Sequence, residues 1–201
     1  MVEKGKELGT IKLVQLQPKG LIIENDKGYF YDVDRRLVVD QLIVNSNGIE
    51  AAKADGEKVL DIHHLDHPGK KYAEDDLICI GFTSHYDKMR ERFGEHMVNG
   101  AAGENIIIDY PDEIWLDDLG NQIAIENQET GQLLILDLAR VARPCDEFSH
   151  FAAQRQDERM AADELKDVLQ FLNKGRRGFL LILKEGQNEG VVRVGDKVFA
   201  I

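Results

Sequence analysis

The chain has 201 residues, 43% hydrophobic and 31% charged, which is enough apolar material to bury a core and too much for intrinsic disorder. Thirty-seven acidic against twenty-five basic residues give a formal charge of -12, a field that repels nucleic acid and anionic membrane surfaces and excludes general binding to either. Salt screens that field over about 8 Å, so local arginines still decide what a pocket accepts.

The polar opening at residues 1–9 has no charged-then-apolar leader, and no apolar run approaches membrane-spanning length, so a cytoplasmic location is expected. Short β-branched runs follow at 10–16, 20–24, 28–33 and 36–45, separated by the turn residues of 25–28. Asn47-Gly48 is a further turn, and the Gly-, Ala-, Lys- and Glu-rich stretch 47–58 reads as a loose surface loop. After a strand at 76–82, residues 83–93 read as a short helix, with Thr83 or Ser84 as N-cap, Asp87 at the third position and Gly94 as its stop.

Strands are then expected at 104–109, 121–127 and 131–142, with turns at Gly120-Asn121 and Thr130-Gly131. Between Gln154 and Asn173 apolar residues recur three or four apart, which predicts a longer amphipathic helix closed by residues 174–178. Strands at 178–184 and 191–201 complete the chain, the latter turning at Gly195-Asp196. The pattern is mainly β, a barrel or sandwich with a few short helices and one longer helix near the C-terminus. No repeat or linker divides it, so one domain over 1–201 is expected.

Chemistry concentrates at two places. Cys145 follows Arg143 and Pro144 at the end of a strand, where cations favour the reactive thiolate and proline ends the ladder; a small buried hydrophobe is the bland alternative. Cys79, inside an apolar run, reads as a core thiol, and both cysteines read as reduced. Gly100 to Ile108, GAAGENIII, combines glycines that permit close approach with Glu104 and Asn105, either as a pocket or as a purely structural turn. It lacks the Lys-Ser/Thr of a P-loop and the spacing of a dinucleotide fingerprint.

Asp61, His63, His64, Asp66 and His67 offer metal-ligand chemistry without a partner cluster of recognised spacing, so a solvated loop competes with a zinc or iron site. His85 and His96 flank the short helix with their roles open. A nucleophile elbow, a paired-carboxylate signature and the papain-type cysteine signature are missing.

Together SHYDKM at 84–89, GAAGENIII at 100–108, RPC at 143–145 and GVVRVGD at 190–196 resemble, in order and spacing, the MOSC domain, the C-terminal module of molybdenum cofactor sulfurases. The resemblance covers roughly residues 55–200; Asp61-Ile62-His63 matches the family's Asp-x-His with Leu60 in place of the usual preceding glycine. It implies a β-barrel related to the pyruvate kinase barrel domain, and a molybdenum cofactor (molybdopterin) ligand. By the same resemblance Cys145 carries sulfur as a persulfide or ligates molybdenum, while Gly103, Glu104, Asn105 and His63 shape the pocket. Arg143 and Arg140 suit phosphate because a guanidinium fork matches its oxygens.

No pyridoxal-phosphate aminotransferase-like region accompanies these motifs, so a stand-alone form is expected. It would take sulfur from a separate donor protein, support reduction of N-hydroxylated compounds, or transport the cofactor. The competing reading is a non-catalytic anion- or protein-binding barrel whose cysteine is incidental.

Overall fold

A computed structural model describes residues 4–26, 28–53, 56–70 and 77–201. Lys27 of the expected 25–28 turn, residues 54–55 of the expected loose loop and Asp76 at the start of the expected 76–82 strand lie outside the described residues. The chain runs through β1 (Glu7–Leu16), β2 (Ile22–Asn25), β3 (Gly28–Tyr31), a 3-10 turn (Val33–Arg35), β4 (Leu37–Val38), β5 (Gln41–Asn45), β6 (Gly48–Ala52) and β7 (Lys58–Leu60). It continues with β8 (Ile78–Phe82), α1 (Thr83–Phe93), β9 (Ile106–Asp109), α2 (Leu116–Leu119), β10 (Gln122–Glu126) and β11 (Leu133–Val141). The last elements are α3 (Asp146–Ala152), α4 (Ala162–Leu172), β12 (Phe179–Leu183), β13 (Gly190–Arg193) and β14 (Lys197–Ala200).

The order β14-β10-β11-β12-β8-β9-β1 closes on itself through the β1–β14 pair, which makes a seven-stranded barrel. Closure removes the sheet's exposed edges. Within the barrel β8 and β9 run parallel, and a parallel pair needs a crossover; α1 and the 94–105 segment supply it. A second sheet, β13-β5-β6-β7, shares its buried Leu42, Val44, Ile49, Ala51 and Val192 with the barrel core of Leu8, Ile11, Ile80, Phe82, Ile123 and Phe179.

On the outside, α1, α3 and α4 pack a second apolar layer around Tyr86, Met89, Phe148, Val168 and Leu172. The two-stranded β2–β3 hairpin joins this layer through Tyr31, whose ring meets Phe148 edge-on at 5.2 Å.

Three expectations are corrected. Residues 48–52 and 58–60, within or next to the expected loose loop, are strands: Gly48 supplies the positive φ of the Asn47-Gly48 turn, and Ile49 and Ala51 are buried. The helix expected over 154–173 begins only at Ala162, and a separate short α3 occupies 146–152. At α1 the N-cap is Phe82 without a side-chain cap; Thr83 Oγ1 instead donates to Asp109 at 3.0 Å and Ser84 Oγ to the Asp112 carbonyl at 2.7 Å. The helix bounds and the Gly94 stop are as expected.

Candidate active site around Cys145

A cavity of about 530 Å³ opens where the ends of β8, β11 and β12 meet the glycine turn and the β2–β3 hairpin. Register places its floor: Leu180 of β12 pairs with Arg140 on one side and Cys79 on the other, so these three neighbours form a row across the barrel wall. Arg143, Cys145 and Arg177 line one side, while Gly103, Gln17, His63 and Tyr31 line others.

Cys145 is half-buried and forms the N-cap of α3, its carbonyl accepting from the Ser149 N–H at 3.0 Å and Oγ at 2.8 Å. Burial pushes its thiol above the ordinary value, the Arg177 guanidinium and the Phe148 backbone N–H pull it back, and Glu147 adds to the rise. The thiol is thus not strongly activated by its surroundings, and Arg177 is the charge that most favours its ionised form.

Sequence reasoning passed over Arg177, one of the two arginines between Gly175 and Gly178 that it read only as a helix terminator. One guanidinium nitrogen donates to the Arg143 carbonyl at 2.6 Å, the group lies 5.6 Å from the Phe148 ring centroid, and its buried Nε has no hydrogen-bond acceptor among the described residues. Among the described residues no carboxylate comes within ion-pair distance of it. Burial opposes its charge, but the acidic groups Cys145, Tyr31, Cys79 and Glu104 around it outweigh that and its pKa is raised.

The glycine turn is the frame. Gln15 Nε2 donates to the Gly100 and Glu104 carbonyls at 2.8 and 2.7 Å, and Gln17 Nε2 to the Gly103 carbonyl at 2.8 Å. A Cβ on Gly100 or Gly103, both at positive φ, would come within 2.5 or 2.6 Å of those same amide nitrogens. Gly103 reaches the cavity, whereas Glu104 and Asn105 lie buried behind it.

Glu104 is fully buried, accepts from Tyr86 Oη at 2.6 Å and, among the described residues, has no partner for Oε1. Burial pushes its carboxyl up to about 7 against the pull of the Tyr86 hydroxyl. Asn105 is a tether: it exchanges both hydrogen bonds with the Cys79 backbone, at 2.9 and 2.8 Å, and donates to Asp61 at 2.9 Å.

Asp61 in turn accepts from the His63 ring Nδ1 at 2.7 Å and from the Gln17 N–H at 2.7 Å, which orients the His63 imidazole in the cavity wall. The remaining histidines of this loop serve structure. His67 lies 3.2 Å from the Pro18 carbonyl, His64 is buried, and burial lowers its pKa. Among the described residues no group of three or more His, Cys, Asp or Glu side chains is arranged to hold a metal ion. His85 is likewise buried, against Trp115 and Phe179, and burial brings it down to about 4.

Cys79 corrects the core reading. Ile78, Ile80 and Phe82 of β8 point into the barrel, so strand alternation turns Cys79 outward, half-buried in the cavity wall. The structure therefore brings Cys145, Arg143, Arg140, Gly103 and His63 to one cavity, sets Glu104 and Asn105 behind it, and adds Arg177, Cys79, Gln17 and Tyr31.

Comparison with known proteins gives the same picture of the fold. Similar solved structures include the YuaD protein of Bacillus subtilis, at 15% identity and TM-score 0.54 over 94% of this chain and 96% of that one. YiiM of Geobacillus stearothermophilus matches at 17% and 0.53, over 96% and 74%, and a hypothetical protein at 15% and 0.56, over 98% and 68%. At these identities the likeness is one of fold. No curated protein matches. The MOSC domain matches residues 67–199, most of the chain and the motif-bearing part of it. The chain belongs to the MOSC domain family.

Proposed function

We propose that the cavity receives an anionic ligand of molybdenum-cofactor type, with Arg177, Arg143 and Arg140 facing its phosphate and Cys145 serving as sulfur carrier or molybdenum ligand. The MOSC family is associated with that cofactor. For this chain the reading is carried by Arg177, a half-buried guanidinium that, among the described residues, has no carboxylate partner and shares a cavity with a thiol. Its charge persists in the cavity wall with donors left over for an entering anion, and a guanidinium fork matches phosphate oxygens. The donor set also fits: thiolate is a soft ligand suited to sulfur and heavy-metal chemistry.

A bound molybdenum centre would supply two-electron redox chemistry, and reduction of N-hydroxylated compounds is the activity this reading extends to. The chain's own part is to anchor the phosphate on the arginines, hold Cys145 at the N-cap of α3, and orient the His63 imidazole through Asp61. As sulfur carrier, the Cys145 thiolate attacks the terminal sulfur of a donor protein's persulfide. The donor S–S bond breaks, the donor thiolate leaves, and a new S–S bond forms on Cys145 Sγ. A cytoplasmic location and a single domain over 1–201 belong to the same proposal.

The test compares protein purified from a host that makes molybdopterin with protein from one that does not, by molybdenum analysis, fluorescence of the released oxidised pterin, and intact mass after exposure to a persulfide donor. Pterin is expected only from the first host and is lost in Arg177→Met; added sulfur is expected on the wild type and not on Cys145→Ser. Protein that takes up neither pterin nor sulfur overturns the reading. The second reading, an anion-binding module with an incidental cysteine, is favoured by the upward push of burial on the thiol; it expects phosphate binding unchanged in Cys145→Ser and a Cys145 that resists alkylation at neutral pH.

A further inference from the structure

The cavity holds two thiols where the sulfur-carrier reading uses one. Cys79 and Cys145 both line it, both remain thiols, and both act electrostatically on Arg177. Cys79 is held by more than chance packing: Asn105 clamps its backbone N–H and carbonyl, and the same Asn105 amide bonds the Asp61 carboxylate that orients His63. Gly178 leaves its sulfur clearance, since a Cβ there would sit 3.1 Å from Cys79 Sγ. The imidazole of His63 lines the same cavity.

We propose that Cys79 is the resolving thiol of this cavity, discharging the sulfur that Cys145 carries. The inference rests on the sulfur-carrier reading above. The Cys79 thiolate attacks Sγ of the Cys145 perthiol, a Cys79–Cys145 bond forms, and the terminal sulfur leaves as hydrosulfide, which takes the proton lost by Cys79. The terminal sulfur is reduced, the Cys79 sulfur is oxidised to match, and Cys145 Sγ exchanges one S–S bond for another, so this step needs no outside reductant. A low-molecular-weight thiol then reduces the disulfide and restores both cysteines. A disulfide requires Cα atoms within about 7 Å; Cys79 sits in β8 and Cys145 at the N-cap of α3, both on the wall of the same cavity, so the cross-link is what the experiment must show.

The experiment treats wild type, Cys79→Ser, Cys79→Ala and Cys145→Ser with a low-molecular-weight persulfide without oxygen, removes the excess, and follows hydrosulfide release and intact mass. Wild type is expected to gain one sulfur, then release it as hydrosulfide while losing two hydrogens, with a Cys79–Cys145 cross-link in its non-reduced digest. Both Cys79 variants are expected to keep the sulfur on Cys145 with loss of spontaneous release. If wild type never takes up sulfur, the sulfur-carrier reading fails and the inference with it. If sulfur loads on Cys145 but release is as fast in a folded Cys79 variant, or the wild-type digest holds no cross-link after release, the resolving role alone is overturned.

Discussion

Arg177 faces the Cys145 thiol and, under the proposed function, a ligand's phosphate, and one guanidinium cannot fully serve both. Its positive charge is the main factor that pulls the Cys145 thiol back down against burial, so Arg177→Met leaves the thiol higher and less ionised. Alkylation of Cys145 is expected to slow roughly tenfold at neutral pH and its rate–pH curve to move to higher pH. Inorganic phosphate should slow the wild type in the same direction and leave Arg177→Met unaffected; a phosphate-insensitive wild type would show that anions do not reach this guanidinium. Behind the wall, Glu104 titrates at about 7 against 4.5 in the unfolded chain because burial penalises its charge. A raised carboxyl binds more protons folded than unfolded, so its contribution falls as pH rises from about 4.5 to about 7 and then levels. At 1.36 kcal/mol per unit, this amounts to a few kcal/mol at most. Urea melts of Glu104→Gln and wild type at pH 5 and pH 8 should therefore diverge in the variant's favour at the higher pH, and parallel pH profiles would refute the assignment.

The glycine turn shows the coupling between elements. Gly103→Ala would drive a methyl group to within 2.6 Å of Gln17 Nε2 at a backbone φ of 91°, so about 1–3 kcal/mol of stability is expected to be lost. Combining it with Gln17→Ala should recover the steric part, leaving less than the sum of the two single losses in denaturant melts; strict additivity would show that the turn is not built against Gln17. The same contrast explains what could be read beforehand. The strands of the barrel announce themselves as β-branched apolar runs between turn residues, and α1 through the Gly94 stop. By contrast, β6 (GIEAA) and the segment leading into β7 lie in a stretch rich in Gly, Ala, Lys and Glu, and β6 is a strand because β5 and the barrel core cover Ile49 and Ala51, which is tertiary context that local composition does not carry. The core reading of Cys79 fails for a related reason: an apolar run hides which residues of a strand face inward, and only the alternation of β8 about its buried Ile78 and Ile80 settles it. Arg177 was passed over because a guanidinium is meaningful only once its lack of a carboxylate partner is visible.

At the scale of the molecule, a chain of charge -12 concentrates Arg140, Arg143 and Arg177 around one cavity, against its own long-range field. That arrangement suits an anion recognised at short range, since the repulsion fades over a Debye length of about 8 Å at physiological salt while a desolvated contact persists. A ligand that binds only the folded state stabilises it by RT ln(1 + [L]/Kd), about 2.7 kcal/mol at a hundredfold excess over Kd. For a chain of this size each kcal/mol moves the melting temperature by about 2–4 °C, so a saturating phosphate-bearing ligand should raise it by roughly 5–10 °C. Inorganic phosphate, which engages the arginines without filling the cavity, should give a smaller rise that Arg177→Met removes, while chloride at equal ionic strength gives none. A rise of equal size in chloride, or one that survives Arg177→Met, would place the stabilisation in general screening of the negative surface and leave the cavity without a demonstrated anion.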